Sequence, residues 1–190
     1  MNSRWQQEGG GRASYDDAWK RLEARGHNPH GEADLVASLR PTSVFDAGCG
    51  TGRVAIELAR RGLDVVGVDL DPVMLRQAEA KAPDLTWVEA DLGGVALGRT
   101  FDVVVMAGNV ILFVARGAEA QVIANLARHL NPGGALVAGF QLAPGAYGVD
   151  RYDAEAAGAG LALSDRWATW DRQPWRPGGQ YAVSVHRSAG

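Results

Sequence analysis

A chain of 190 residues, 46% apolar and 22% charged, is long enough for one domain with a sizeable core and too balanced for long disorder. Its formal net charge of −3 supplies no global field to recruit nucleic acid or an anionic membrane, and a single cysteine, Cys49, excludes an intrachain disulfide. Residues 1–12 lack the apolar stretch of a signal peptide, no apolar run approaches the roughly 20 residues of a membrane helix, and no zinc-type Cys/His spacing occurs, so the expectation is a cytoplasmic protein without a metal site.

Residues 1–12 read as a loose leader; Tyr15, Ala18, Trp19 and Leu22 then recur at helical spacing up to Arg25, and Gly26 stops that helix. A second short helix is predicted over 32–39, ended by Pro41, and a strand over 43–47 leads into Gly48-Cys49-Gly50-Thr51-Gly52. The helix expected over 54–61 offers Val54, Ile56, Leu58 and Ala59 to a sheet, and Gly62 closes it. Leu63 to Asp69 is nearly all apolar, as in a parallel strand covered on both faces. Asp71 is placed to cap the next helix with Pro72 at its first position, and that helix runs to Lys81.

Further strands are predicted over 85–89 and 101–107, then a helix over 118–130 that the turn Asn131-Pro132-Gly133-Gly134 stops, then a strand over 135–141. A loop over 142–147, a helix over 150–157 and a hairpin of 161–170 with 181–186 complete the chain. Trp167 and Trp170, three apart on one strand, should face opposite sides, with at least one in the core. Strands alternating with helices, followed by one hairpin, define an α/β class: a doubly wound, mostly parallel sheet with helices on both faces and the last strand antiparallel. Such sheets bind ligands at the carboxyl ends of their strands, near the switch in strand order.

The glycine cluster lies at that place. Asp46-Ala47-Gly48-Cys49-Gly50-Thr51-Gly52 reads as D-x-G-x-G-x-G between a strand and a helix. Glycines there admit backbone angles other residues avoid and let a ligand lie on the main chain, while the helix N-terminus faces a carboxylate. Asp69, 21 residues after Gly48 at the tip of the second strand, is placed to hold both ribose hydroxyls of a nucleoside. Asp91, after the third strand, can accept from an exocyclic adenine amine, with Leu92 packing on the ring.

Together these motifs resemble the cofactor-binding set of class I methyltransferases, which use S-adenosylmethionine (SAM) and release S-adenosylhomocysteine; the likeness spans residues 44–142. The resemblance implies a Rossmann-like, seven-stranded sheet and a cofactor site of Asp46, Gly48, Cys49, Gly50, Asp69, Leu70, Asp91, Leu92 and Ala107. Gly48 and Gly50 would hold the methionine end, Asp69 the ribose and Asp91 the adenine amine. It also implies a division into an N-terminal helical lid, residues 1–40, and a SAM-binding domain, residues 41–190. The rival G-x-G-x-x-G of an NAD-dependent oxidoreductase fails at its final position, where Arg53 stands. A second rival is a non-catalytic SAM-fold module that serves a partner protein.

Methyl transfer is an in-line displacement that rests on positioning, and it needs a side-chain base only for a protonated nucleophile of high pKa. No catalytic residue is therefore assigned. The acceptor is expected to be a small molecule, because the chain has no room for a separate recognition domain. Asn109 at the end of the fourth strand, Trp19 and His27 in the lid, and Trp170 are the candidate acceptor contacts. Asn109 is followed by Val110-Ile111 rather than the Pro-Pro of [DN]-P-P-[YF] enzymes, which argues against a DNA base. Cys49 has no obvious partner base and reads as a small residue of the binding loop.

Overall fold

The computed structural model describes residues 28–190. The helix expected at 15–25, and with it Trp19 and His27, lies outside the described residues. The chain enters through α1 (Gly31–Ser38), β1 (Ser43–Ala47), α2 (Arg53–Arg60), β2 (Asp64–Asp69), α3 (Pro72–Lys81) and β3 (Thr86–Glu89). It continues through β4 (Phe101–Met106), α4 (Val110–Phe113), α5 (Glu119–Ala127), β5 (Leu130–Gln141), α6 (Val149–Gly158), β6 (Leu161–Trp167) and β7 (Tyr181–Ser188). The sheet order is β3-β2-β1-β4-β5-β7-β6, with β7 antiparallel to both its neighbours and every other pairing parallel. This is the doubly wound sheet with a reversed last strand that the alternation implied, and it has the seven strands and Rossmann-like form that the resemblance implied. Its order reverses between β1 and β4, which opens a crevice at the carboxyl ends of those two strands.

Both faces are covered, so the central strands are apolar on both sides. Phe45, Val66, Val104, Leu136 and Phe140 face α5 and α6, where Ile123, Leu126 and Tyr152 meet them. Val44, Val65, Val103, Val137 and Val185 face α1 and α2, where Leu35, Val36, Val54, Ala55 and Leu58 close the second core. Ala55, not the expected Ile56, is a buried contact of α2. Asp71 caps α3 by accepting from the Val73 N–H at 2.9 Å, with Pro72 at the first position, as its sequence indicates.

Three expectations change. Asn131-Pro132-Gly133-Gly134 is the irregular beginning of β5, not a turn: the partner of Phe101 is Leu130 while that of Val103 is Ala135, a bulge with Gly133 at φ 73°. Asn131 fastens it, accepting from Thr100 Oγ1 at 2.5 Å and donating to Asp102 at 2.8 Å, and Pro132 at a bulge interrupts no regular ladder. The preceding helix consequently ends at Ala127. Finally, β6 stops at Trp167, where the chain turns through Thr169–Arg172 with Arg172 at φ 62°. Strand alternation therefore never reaches Trp170, and Trp167 and Trp170 pack against the same core rather than on opposite sides.

Candidate cofactor site

The loop after β1 is built from left-handed glycines: Gly48, Gly50 and Gly52 have φ of 80°, 55° and 81°. A Cβ on Gly48 would lie 2.6 Å from Val110 of α4, and one on Gly52 would lie 2.5 Å from the Trp87 ring. The loop is thus pressed between two side chains as well as opened toward the crevice. Beneath it Asp46, 1% exposed, accepts from the Ala55 N–H at 3.1 Å and takes up one donor of the first turn of α2. Burial pushes the Asp46 carboxyl up to about 7, against the Ala55 hydrogen bond and the Arg53 charge. Burial likewise raises the Cys49 thiol, which supports the inert reading of that residue.

Asp69 ties the loop to the second strand. Its Oδ2 accepts from the Gly50 N–H and its Oδ1 from the Asp71 N–H, both at 2.8 Å. Burial raises its pKa, opposed by these two hydrogen bonds. Each carboxylate oxygen keeps a further lone pair for a ligand hydroxyl. Across the crevice Asp91 accepts from the Gly93 N–H at 2.8 Å, closing a tight turn that presents Leu92.

These groups line one cleft of about 520 Å³ at the switch point. Of the expected cofactor residues, Gly48, Gly50, Asp69, Leu70, Asp91, Leu92 and Ala107 line it, whereas Asp46 and Cys49 lie below the loop. Asn109 lines it too, at φ 68°, with its Oδ1 accepting from the Gln141 N–H at 2.8 Å. Trp170 is not among the lining residues; it lies on Gly139 of β5, where a Cβ would come within 2.3 Å of its ring, and donates to Tyr181 Oη at 3.2 Å.

Sequence reasoning missed Met74, which closes the cleft over Gly50, and the apolar end formed by Val110, Phe113, Val114 and Ala115. Gln121 of α5 was missed as well. A four-residue helix such as α4 is too short to show a period, and Gln121 looks like any solvated position of its helix. Among the described lining residues the ionisable side chains are Asp69 and Asp91. Two carboxylates in a glycine-lined, half-apolar cleft fit a nucleoside that carries a sulfonium and an ammonium charge.

Fold and cleft together define a Rossmann-like nucleoside-binding enzyme fold, and the comparisons with known proteins narrow it. A family model described as a methyltransferase domain matches residues 44–134. The solved TehB-like SAM-dependent methyltransferase of Corynebacterium glutamicum superimposes with a TM-score of 0.85 and is 34% identical, over 94% of this chain and 98% of that one. The magnesium-protoporphyrin O-methyltransferase of Rhodobacter capsulatus is 42% identical over 84 residues, 42% of this chain and 37% of the relative. The trans-aconitate 2-methyltransferase of Azoarcus sp. is 36% identical over 108 residues, 54% of this chain and 42% of the relative. The chain thus spans well under half the length of these two curated relatives.

The chain belongs to the class I SAM-dependent methyltransferases, and SAM is its cofactor. The oxidoreductase alternative finds no support. Arg53, in the place of its last glycine, forms a two-pronged ion pair with Glu32 at 2.5 and 3.0 Å. No helix among the described residues is long and apolar enough to cross a membrane.

Proposed function

We propose that the chain transfers the methyl group of SAM to a small, largely apolar acceptor bound at the α4 end of the cleft. The observation that carries this reading is the polarity gradient of the cleft. Its carboxylates, Asp69 at the end of β2 and Asp91 just after β3, lie on one side, while Val110, Phe113, Val114 and Ala115 form the wall beyond β4. Bound SAM supplies an electrophilic methyl on a positively charged sulfur. Gly48 and Gly50 receive its methionine end, Asp69 accepts from the ribose hydroxyls, and Asp91 with Leu92 receives the adenine. Asp46 and Cys49 act from beneath, as the support of the glycine loop. Ala107 and Asn109 stand between the two halves, and Asn109, whose Oδ1 accepts from the Gln141 N–H, presents its amide protons to the acceptor.

Burial of an apolar acceptor and exclusion of water from the sulfonium use the same wall, so positioning rather than a side-chain base does the work. The relatives named for magnesium-protoporphyrin and trans-aconitate support an acceptor of small-molecule size. We propose further that the N-terminal segment, residues 1–40, serves as the cover, and that Trp19 and His27 contribute to acceptor binding. In support, the Glu32–Arg53 pair fastens α1 to the first residue of α2, next to the glycine loop. Location in the cytoplasm goes with this reading.

Calorimetric titration with S-adenosylhomocysteine, with NADH as control, comes first, followed by label transfer from methyl-labelled SAM to a panel of apolar and charged small molecules. Micromolar binding of the former alone, with transfer to apolar panel members, is the expected result. Binding without transfer to any acceptor would favour the partner-serving module. Transfer only to charged acceptors would remove the apolar wall from the argument.

A further inference from the structure

One face of α5 carries three polar side chains at four-residue intervals, Gln121, Asn125 and His129, the last just beyond the helix end. Neighbours four apart share a helix face, and all three point at the loop between β3 and β4. Gln121 Nε2 donates to the Gly93 carbonyl at 3.0 Å. Asn125 Nδ2 donates both its protons, to the Leu92 carbonyl at 2.8 Å and the Val95 carbonyl at 2.9 Å. His129 Nε2 accepts the Leu97 N–H at 3.3 Å, which leaves its proton on Nδ1 for the Asn125 carbonyl at 2.9 Å. The Asn125 amide is itself oriented, because its Oδ1 accepts from Arg128 at 2.7 Å.

A loop of this kind has little of its own to hold it: Gly93 and Gly94 are adjacent, and no strand follows until Phe101. Its internal bonds are the short turn of Asp91 to Gly93, Gly94 and Val95. The turn is anchored to β2 by the Ala90 N–H, which donates to the Asp69 carbonyl at 3.0 Å, and beyond that bond the course of residues 92–97 is fixed by the α5 stripe. Asn125 is 4% exposed and does not line the cofactor cleft, so it can reach the ligand only through the loop.

We propose that Asn125, with Gln121, is a positioning residue for purine recognition. By holding the carbonyls of Leu92, Gly93 and Val95 it aims the Asp91 carboxylate at the 6-amino group and so selects adenosyl over 6-oxo ligands. This rests on the reading of Asp91 as the adenine contact.

The test is calorimetric affinity for S-adenosylhomocysteine and for its 6-oxo analogue, S-inosylhomocysteine, in full-length protein. Wild type should prefer the adenosyl ligand by about tenfold or more, the scale of one well-made hydrogen bond to a charged group. Asn125→Asp and Gln121→Leu should each shrink that preference severalfold toward the value for Asp91→Asn. Combining either with Asp91→Asn should shrink it no further. Gln121 is on the cleft rim and its variant keeps the test open if Asn125→Asp does not fold.

An unchanged preference in both variants, with only the melting temperature lowered, would overturn the positioning role and leave the cofactor reading standing. An unchanged preference in Asp91→Asn, or no affinity of wild type for either ligand, would instead overturn the reading of Asp91 and the inference with it.

Discussion

The two halves of the cleft are made by different means. On the β1–β2 side the groups that face the ligand are main chain, or carboxylates held by main chain: Gly48 and Gly50 in left-handed geometry, and Asp69 bonded to the Gly50 and Asp71 amides. On the β4 side the wall is side-chain volume, Val110 and Phe113 on a four-residue helix followed by Val114 and Ala115. Backbone geometry of the first kind is intolerant of substitution and suits a ligand that never changes. Apolar volume of the second kind is altered by one mutation and suits a ligand that differs between relatives. The contrast predicts that damage on one side abolishes cofactor binding, while damage on the other changes acceptor affinity and spares the cofactor.

The sharpest break is Gly50→Val. A Cβ there meets only Met74 Cε, at 3.4 Å, so the fold accommodates the side chain at the cost of a positive φ of 55°. The side chain itself would occupy the ligand's space. Affinity for S-adenosylhomocysteine should fall below detection in calorimetry while the circular dichroism spectrum stays native. Normal binding would show that the loop does not receive the ligand.

Asp69→Ala should be next in size, weakening that affinity by about 1–3 kcal/mol, because it leaves ligand hydroxyls and two loop N–H groups without their acceptor. An affinity within a factor of two of wild type would remove Asp69 from the site. Phe113→Ala probes the other half. It should raise the acceptor KM by about tenfold, from loss of apolar contact, with the affinity for S-adenosylhomocysteine little changed. Equal losses in both would erase the distinction between the halves.

The same contrast explains what could be read from the sequence. The glycine loop, Asp69 and the Asp71 cap depend on local backbone rules, so alternate glycines after an apolar strand and an acid before Pro72 were sufficient. Groups fixed by partners distant in the chain left no such trace. Gly67 and Gly52 lack side chains because the Trp87 ring lies on both, with Cβ positions 2.4 and 2.5 Å from it. Asn125 looks like an ordinary helix polar residue until its loop partners, 30 and 33 residues earlier, are in place. Asn131-Pro132-Gly133-Gly134 has the composition of a turn, and only pairing with β4 and the Asp102 carboxylate makes it a bulge. Trp170 likewise was assigned a strand's alternation that the turn at Thr169–Arg172 cancels.

The pH dependence of stability also separates the halves, since among the described lining residues those beyond β4 carry no ionisable side chain. Asp46 lies under the cofactor side with its carboxyl pushed by burial up to about 7, from an ordinary value of 3.8. A raised carboxyl favours the protonated form in the native state. Between the ordinary carboxylate range and about pH 7 the folded chain therefore binds more protons at Asp46 than the unfolded chain, and stability falls as pH rises through that window, then levels off. One proton gives a slope of at most about 1.4 kcal/mol per pH unit. Asp46→Asn keeps an oxygen for the Ala55 N–H and removes the titration, so urea unfolding at pH 5, 6, 7 and 8 should show the variant gaining on wild type up to pH 7 and running parallel above it. A constant offset across the series would place the proton elsewhere, with Asp69 the next carboxyl to substitute because burial raises it in the same direction.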